Sequence, residues 1–596
     1  MIKNVKYYLN LILEYKKSLL FLFFIRLVVL AFEPYILIFT PKYIINALFV
    51  RNNPAEAINY AIIMLAIYIP THLLMDWLNS YIEVQNNIFK ENMHKNLALK
   101  CTRIPYEKLE NSNIQDSIEK AKFAIDGSDK VVSRESLTSK GIDSILNDTS
   151  AIISGVINIL INVYMLLVFN VWFLILLVVL IIVNSFVGSK SRRNEYDFRV
   201  KTTTAARRLK YAGRVVLDNK KGKEIRIFNM SDFLISKLFG ERRNYMHARR
   251  ELRSSYFLLN CSANILQLIQ KFSGYIYVAY NCITGIITIG DFFLYYGIIE
   301  NFNQRLTSVF ESLINIRQNI YYLDDYRSVM EMEECHYDEL TDCELISFNC
   351  IEFSHVWFKY PNSKDYTLKD INIRIEKGAR LSIVGPNGAG KTTFIKLLLR
   401  LYEPTEGAIY IDGINIRDIP YAMYNKMIAS LFQENNVLPF TAEENISMSS
   451  SGNEYKIKHA LAIVGLLDKF DNLPKKTKAY VTRLFSNDGI ELSGGEQQKL
   501  MFCRLLYKDC DIYILDEPTA SLDPRAEYML YKDFNKIMHN KTVIFISHRL
   551  SSCRICDYIA VFNEGKICEY GTHDSLYKQG GLYYKLYQTQ AQYYID

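Results

Sequence analysis

The stretch Gly385-Pro386-Asn387-Gly388-Ala389-Gly390-Lys391-Thr392-Thr393 has residue types and spacing suited to holding phosphate. It follows the apolar run Leu381 to Val384 and precedes the helix-forming FIKLLLRL. Glycines let backbone N–H groups close on phosphate oxygens, and a helix N-terminus favours their charge. Lys391 then meets the β and γ oxygens of a nucleoside triphosphate, and Thr392 reaches Mg²⁺. A second apolar run, IYIL, ends in Asp516 and Glu517. A carboxylate at a strand's end can hold the water shell of that metal, and the next can polarise an attacking water. Asp516 is therefore assigned to magnesium and Glu517 to the general base. Alone, such a pair says little; beside a phosphate cradle it marks a hydrolytic site.

A further serine-glycine stretch, LSGGEQQK from Leu492, lies about a hundred residues downstream of the first cradle. The order of cradle, LSGGEQQK, YILDEPTASLD and ISHRL resembles the ATP-binding cassette family, and with apolar spans placed ahead of it the whole chain is similar to a half-size exporter. The resemblance implies ATP and Mg²⁺ as cofactors. Tyr360 matches the aromatic that stacks on adenine, and Gln433 the glutamine that senses magnesium and the membrane domain. Asp523 ends the Ser-Leu-Asp loop that crosses to a partner, and His548 matches the switch histidine at the γ-phosphate. It further implies that Ser493, Gly494, Gly495 and Glu496 of one chain close over nucleotide held by another. Two chains would then share two sites about a twofold axis, as a homodimer or with a second half-transporter. Two features depart from the family pattern. Glu496 stands where many exporters have glutamine, and TRLFSNDGIE lacks the Gly-Glu-Arg-Gly often found before the signature.

The elements that must position these residues follow from periodicity. From 348 to 596, short β-rich runs such as IEFSHVWFKY, IYIDG and TVIFISH alternate with helical stretches, which indicates an α/β domain built on a mainly parallel sheet. Before it, 326–347 is acidic without an apolar face and reads as a solvated connector. Residues 1–325 carry long apolar runs, expected as six transmembrane helices near 19–45, 57–80, 148–169, 171–190, 262–285 and 291–316. The fold class is thus a membrane α-helical domain, with long cytoplasmic extensions, fused to an α/β P-loop ATPase.

Lysine and arginine are concentrated between spans two and three and between spans four and five. Those connections, both termini and the ATPase are accordingly expected on the inner side of a bacterial cytoplasmic membrane. The helical returns near 103–113 and 215–224 are placed to touch the α/β domain. Net charge is +7, but these basic residues lie where topology and anionic head groups require them, so no nucleic-acid partner is expected. Lys3, Lys6, Lys16 and Lys17 precede the first apolar run as in a signal peptide. No small-residue cleavage site follows, and Arg26 and Glu33 interrupt the run, so it reads as a retained span. Eleven cysteines have no framework spacing, and the lone Cys553-x-x-Cys556 reads as coincidence rather than metal or redox chemistry.

Ionisable groups at membrane depth face an interior or a watery cavity. His72 and Asp76, and Gln267 and Lys271, recur at one-turn spacing. Together with Arg26, Glu33, Glu300, Gln304 and Arg305 they are candidates for a substrate path. The competing reading is that they pair and hold helices together. Export of a drug-like, peptide or amphipathic cargo by alternating access is the function these features and the resemblance imply. A flippase for lipid or lipid-linked glycan and a nucleotide-gated channel are the alternatives.

Overall fold

The structure, a computed structural model, describes residues 2–15, 18–126, 142, 144–171, 175, 179, 208–209, 211–213, 215–218, 221–334, 348–361, 363–432, 437–516, 540–546 and 550–592. They form two compact units, one from Met1–Thr102 with Asn111–Met332, the other from Arg103–Glu110 with Glu333–Asp596.

The first unit is helical: α1 (Ile2–Tyr15), α2 (Ser18–Phe49), α3 (Pro54–Arg103), α5 (Ser112–Asp126), α6 (Ser144–Phe169), α7 (Gly222–Ile227), α8 (Ser231–Ile283) and α9 (Ile289–Met330). The short α4 (Tyr106–Leu109) groups with the second unit. Helices α3, α8 and α9 contain 50, 53 and 42 residues. At about 1.5 Å per residue each is at least about 60 Å long, twice a hydrocarbon core of about 30 Å. Among the described residues three segments are long and apolar enough to cross a membrane: Phe21–Phe49, Pro54–Arg103 and Ile145–Phe169. The fifth expected span lies in α8 except for its last two residues, and the sixth runs inside α9. The fourth, 171–190, falls almost wholly outside the described residues.

Helices α2, α6 and α9 share an apolar core that includes Tyr35, Ile38, Leu166, Leu294, Ile298 and Phe302. A polar seam runs through it. Ser154, Asn158 and Asn162 recur every four residues on one face of α6 and are fully buried. Asn162 donates to the Asn301 side-chain oxygen on α9 at 2.9 Å and accepts from the Tyr35 hydroxyl on α2 at 3.2 Å. Asn158 donates to the Ser154 carbonyl at 2.8 Å, and its own carbonyl accepts from Tyr35 at 3.1 Å. Away from water such groups are costly unless paired, and the bonds of Tyr35 and Asn162 tie the three helices at a defined register, while Asn158 Oδ1 has no hydrogen-bond partner among the described residues.

The second unit carries two sheets. One is antiparallel, ordered β2-β1-β4-β5, from β1 (Cys350–Phe358), β2 (Leu368–Glu376), β4 (Glu406–Ile411) and β5 (Ile414–Asn415). The other is ordered β10-β9-β3-β8-β7-β6, from β3 (Arg380–Val384), β6 (Ile428–Leu431), β7 (Ile512–Asp516), β8 (Thr542–Ile546), β9 (Tyr558–Asn563) and β10 (Lys566–Gly571). It is parallel except for the β9–β10 hairpin. Its inner strands are buried along their length, as expected where both faces are covered.

Helices α10 (Lys391–Leu398) and α11 (Tyr421–Met427) enter the core between the sheets, through Phe394, Leu397, Tyr424 and Met427 packed with Phe353 and Ile411. A second core gathers α12 (Ala442–Ser447), α13 (Glu454–Ile463), α14 (Leu467–Asp471) and α15 (Gly494–Lys508) around Leu461, Phe470, Leu500 and Phe502. The chain ends in α16 (His573–Gln579) and α17 (Leu582–Gln592).

Candidate nucleotide site

Strand β3 lies between β9 and β8, and the phosphate-cradle sequence leaves its end. Two glycines are required by geometry. Gly385 has φ of 150°, and a Cβ there would sit 2.2 Å from the Phe562 carbonyl oxygen on β9. Gly390 has φ of 101°, and its Cβ would meet Leu368 Cδ2 at 2.6 Å. The loop turns back over its lysine: Lys391 Nζ donates to the Gly385 carbonyl at 2.8 Å and the Pro386 carbonyl at 2.9 Å. Pro386, Asn387, Gly388 and Thr392 are exposed, whereas Ala389, Lys391 and Thr393 are buried. The arrangement is a concave turn opening a helix, with the cation held inside it.

Asp516 is the last residue of β7 and is 5% exposed. Register places it opposite Ile546 of β8, which lies opposite Ile383 of β3. Adjacent strands are about 4.8 Å apart, so Asp516 stands about 10 Å from the strand end that feeds the cradle, on the same edge of the sheet. A carboxylate and the Thr392 hydroxyl on that edge are hard oxygen donors of the kind Mg²⁺ accepts alongside waters.

Tyr360 follows β1 and is half-buried, with its hydroxyl 3.1 Å from that of Thr393. Its ring stands edge-on to Phe358 and Tyr402, at 5.0 and 5.3 Å between centroids. Lys396 Nζ lies over three rings, 5.6 Å from Tyr360, 5.4 Å from Tyr402 and 5.9 Å from Tyr106. It also pairs with Glu110 at 3.6 Å. The Tyr402 hydroxyl donates to the Glu110 carboxylate. Partial burial disfavours the Glu110 charge, but bonds from Tyr402, Tyr106 and Lys396 outweigh it and hold the carboxyl below its usual range. Residues 103–110, the first part of the expected helical return near 103–113, therefore group with the α/β unit, whereas Asn111–Asn113 group with the helical one.

The signature stretch begins α15. Ser493 is the N-cap and closes a capping box: its N–H donates to Glu496 Oε2 at 2.9 Å, and its hydroxyl accepts from the Glu496 N–H at 3.4 Å. The other Glu496 oxygen accepts from Lys469 Nζ at 2.6 Å. The Lys469 bond, aided by those to Ser493 and opposed by partial desolvation, lowers the Glu496 pKa. Ser493 and Gly494 are exposed.

Gln433, Glu517, Asp523 and His548 lie outside the described residues. Sequence reasoning passed over Lys396, Tyr402, Glu110 and Lys469, because each acts on a site residue distant in the chain. A basic residue facing the one departure in the signature was a signal available for Lys469 only in three dimensions. Cys553 is buried against the Ser382 hydroxyl of β3 at 3.3 Å, and burial pushes its thiol up to about 11.

In the helical unit the candidate path residues fall into small groups. His72 bonds to Glu33 at 3.2 Å and lies 3.9 Å from Asp76. Lys271 pairs with Glu300 at 2.6 Å, and Gln304 donates to the same carboxylate at 3.4 Å. Tyr275, not foreseen, donates to its other oxygen at 2.8 Å. Arg26 donates to Asn147 on α6 at 2.5 Å. Arg305 is half-buried on α9 and Gln267 half-buried on α8.

Residues 368–520 match the family model described as ABC transporter. Over 589 residues, 98% of this chain and 93% of the relative, the sequence is 26% identical to the subtilin transport ATP-binding protein SpaT of Bacillus subtilis. Over 236 residues, 40% of this chain and 39% of the relative, it is 39% identical to the β-(1→2)glucan export ATP-binding/permease protein NdvA of Bartonella henselae. The fold matches the solved structure of a bacterial Atm1-family ABC exporter with ATP bound, with a TM-score of 0.77 and 20% identity, over 96% of this chain and 98% of that one.

Proposed function

Since this chain belongs to the ABC transporter family, with a helical membrane domain fused ahead of its ATPase, we propose that it works as a homodimer exporting a peptide across the bacterial cytoplasmic membrane. That ATP hydrolysis drives export is the activity of its exporter relatives and of this chain. The peptide assignment rests on one observation. The alignment with the subtilin transporter runs through the membrane unit, where cargo is chosen, whereas the glucan exporter aligns over 40% of the chain.

In this reading ATP docks on the exposed face of the cradle, with its base against Tyr360 and its phosphates over Gly388 and the N-terminus of α10. Lys391 releases the loop carbonyls to meet the phosphates. Thr392, Asp516 and Gln433 would hold Mg²⁺, which when bound neutralises charge between the β and γ groups. Glu517 takes the proton of the attacking water, and His548 steadies the γ-phosphate. Ser493 to Glu496 of the partner protomer complete each site, so hydrolysis requires two chains. Six spans per protomer, with both termini inside, surround a path to which the Glu33–His72–Asp76 and Lys271–Glu300–Gln304 groups contribute.

Reconstitution in inside-out vesicles tests the cargo. ATP-dependent uptake of a labelled peptide, absent without Mg²⁺, is the expected result. Flipping of labelled lipid without peptide uptake, or an ATP-independent ion current, overturns the peptide assignment in favour of a flippase or a channel.

A further inference from the structure

The signature helix bears a carboxylate where it should repel its ligand. The first turn of α15 exposes Ser493 and Gly494, and a helix N-terminus carries roughly half a positive charge. Glu496, three residues in, brings a full negative charge to that turn. Left alone, the end would be net negative and would face a polyanion. The capping box does not require this charge, because glutamine at the same position accepts the Ser493 N–H equally well.

The Lys469 ammonium, 2.6 Å from Glu496 Oε1, supplies the missing charge. It is carried on α14, whose neighbouring Phe470 is fully buried in the core shared with α15, so the cation comes from a fixed element. The other charged residues nearby do not do this work. Lys499 is one turn further along α15, with its ammonium 4.0 Å from the position a Cβ would take at Gly465. Glu491, exposed just before the cap, adds to the negative side.

We propose that Lys469 is a positioning residue for nucleotide, cancelling the Glu496 charge so that α15 presents a positive N-terminus to the partner protomer's ATP. The inference rests on the reading above that this segment closes over a neighbour's nucleotide. Lys469 and Glu496 thus form one unit without net charge at the start of α15.

The test is a cycle in the full-length protein reconstituted in nanodiscs, comparing Lys469→Met, Glu496→Gln and the double variant by KM for ATP, kcat and melting temperature. K469M is expected to raise KM about tenfold at low ionic strength, with kcat little changed, as one unscreened charge near the phosphates would. The rise should shrink in high salt. In the E496Q background, K469M is expected to leave KM where E496Q alone sets it. A wild-type KM in K469M, or a rise of about tenfold in KM from E496Q to the double variant, overturns the proposal, since a folding role for Lys469 would persist without the carboxylate. Ser493→Arg separates the underlying reading: if it leaves turnover intact, the segment does not meet nucleotide at all. If it abolishes turnover while K469M is silent, only the role of Lys469 falls.

Discussion

The Tyr402 hydroxyl donates to the Glu110 carboxylate, joining positions 292 residues apart within one compact unit. Tyr402 also stands edge-on to Tyr360, and Lys396 lies over both rings. A short chain of contacts therefore connects segment 103–110 to the aromatic proposed to receive adenine. Tyr402→Phe keeps the ring and deletes the hydroxyl, so ATP affinity should stay near wild type. Cargo-stimulated ATPase should fall severalfold, and stability by about 1 kcal/mol. Parallel measurement of basal and stimulated phosphate release checks this; equal losses in both would mean the bond serves the nucleotide pocket rather than the segment.

Glu517→Gln removes the general base without changing volume. Phosphate release should fall by about two to four orders of magnitude, while binding of a fluorescent ATP analogue is retained. Near-normal turnover would exclude Glu517 from that role.

Asp557 begins the turn into β9 and accepts from the Arg380 backbone N–H at 2.9 Å and side-chain nitrogens at 3.2 and 2.7 Å. Those bonds, outweighing partial desolvation, lower its pKa. A carboxyl whose folded pKa is depressed contributes stability that is complete above its unfolded value and lost as pH falls through the folded one. The melting-temperature gap between wild type and Asp557→Asn should be constant from about pH 7 to 5 and close below about pH 4. A gap that widens on acidification would contradict the assignment.

Asn162→Leu places an apolar group of similar size in the α6 seam and strands the Asn301 side-chain oxygen, while the Tyr35 hydroxyl keeps its bond to the Asn158 carbonyl. A loss of about 2 kcal/mol is expected, measured as thermal stability in detergent. Asn162→Leu combined with Asn301→Leu should recover part of it, because fewer orphaned groups remain.

Legibility from sequence followed chain distance. Gly385 to Thr393, Ser493 to Glu496 and Asp516 carry their chemistry in contiguous stretches, since a backbone cradle, a capping box and a strand-end carboxylate are all local devices. The α/β alternation was legible for the same reason: period and punctuation are local. The Lys469–Glu496 pair spans 27 positions, and the three rings under Lys396 come from separate segments, so no spacing rule reveals them. In the helical unit, one-turn repeats drew attention to His72 with Asp76 and Lys271 with Gln267. The structure pairs His72 with Glu33 on α2 and Lys271 with Glu300 on α9, because a costly charge is met by whichever helix packs nearest. The buried amides of α6 escaped notice, since the surrounding aliphatic residues keep the mean hydropathy of Ile145–Phe169 at 2.3 despite them.

That amide seam limits how such a protein can be re-engineered. Asn162 serves both α2 and α9, so converting the seam to hydrocarbon one codon at a time passes through intermediates weaker than either end state. A library built to change what is carried should leave Ser154, Asn158 and Asn162 untouched and spend its diversity on other faces.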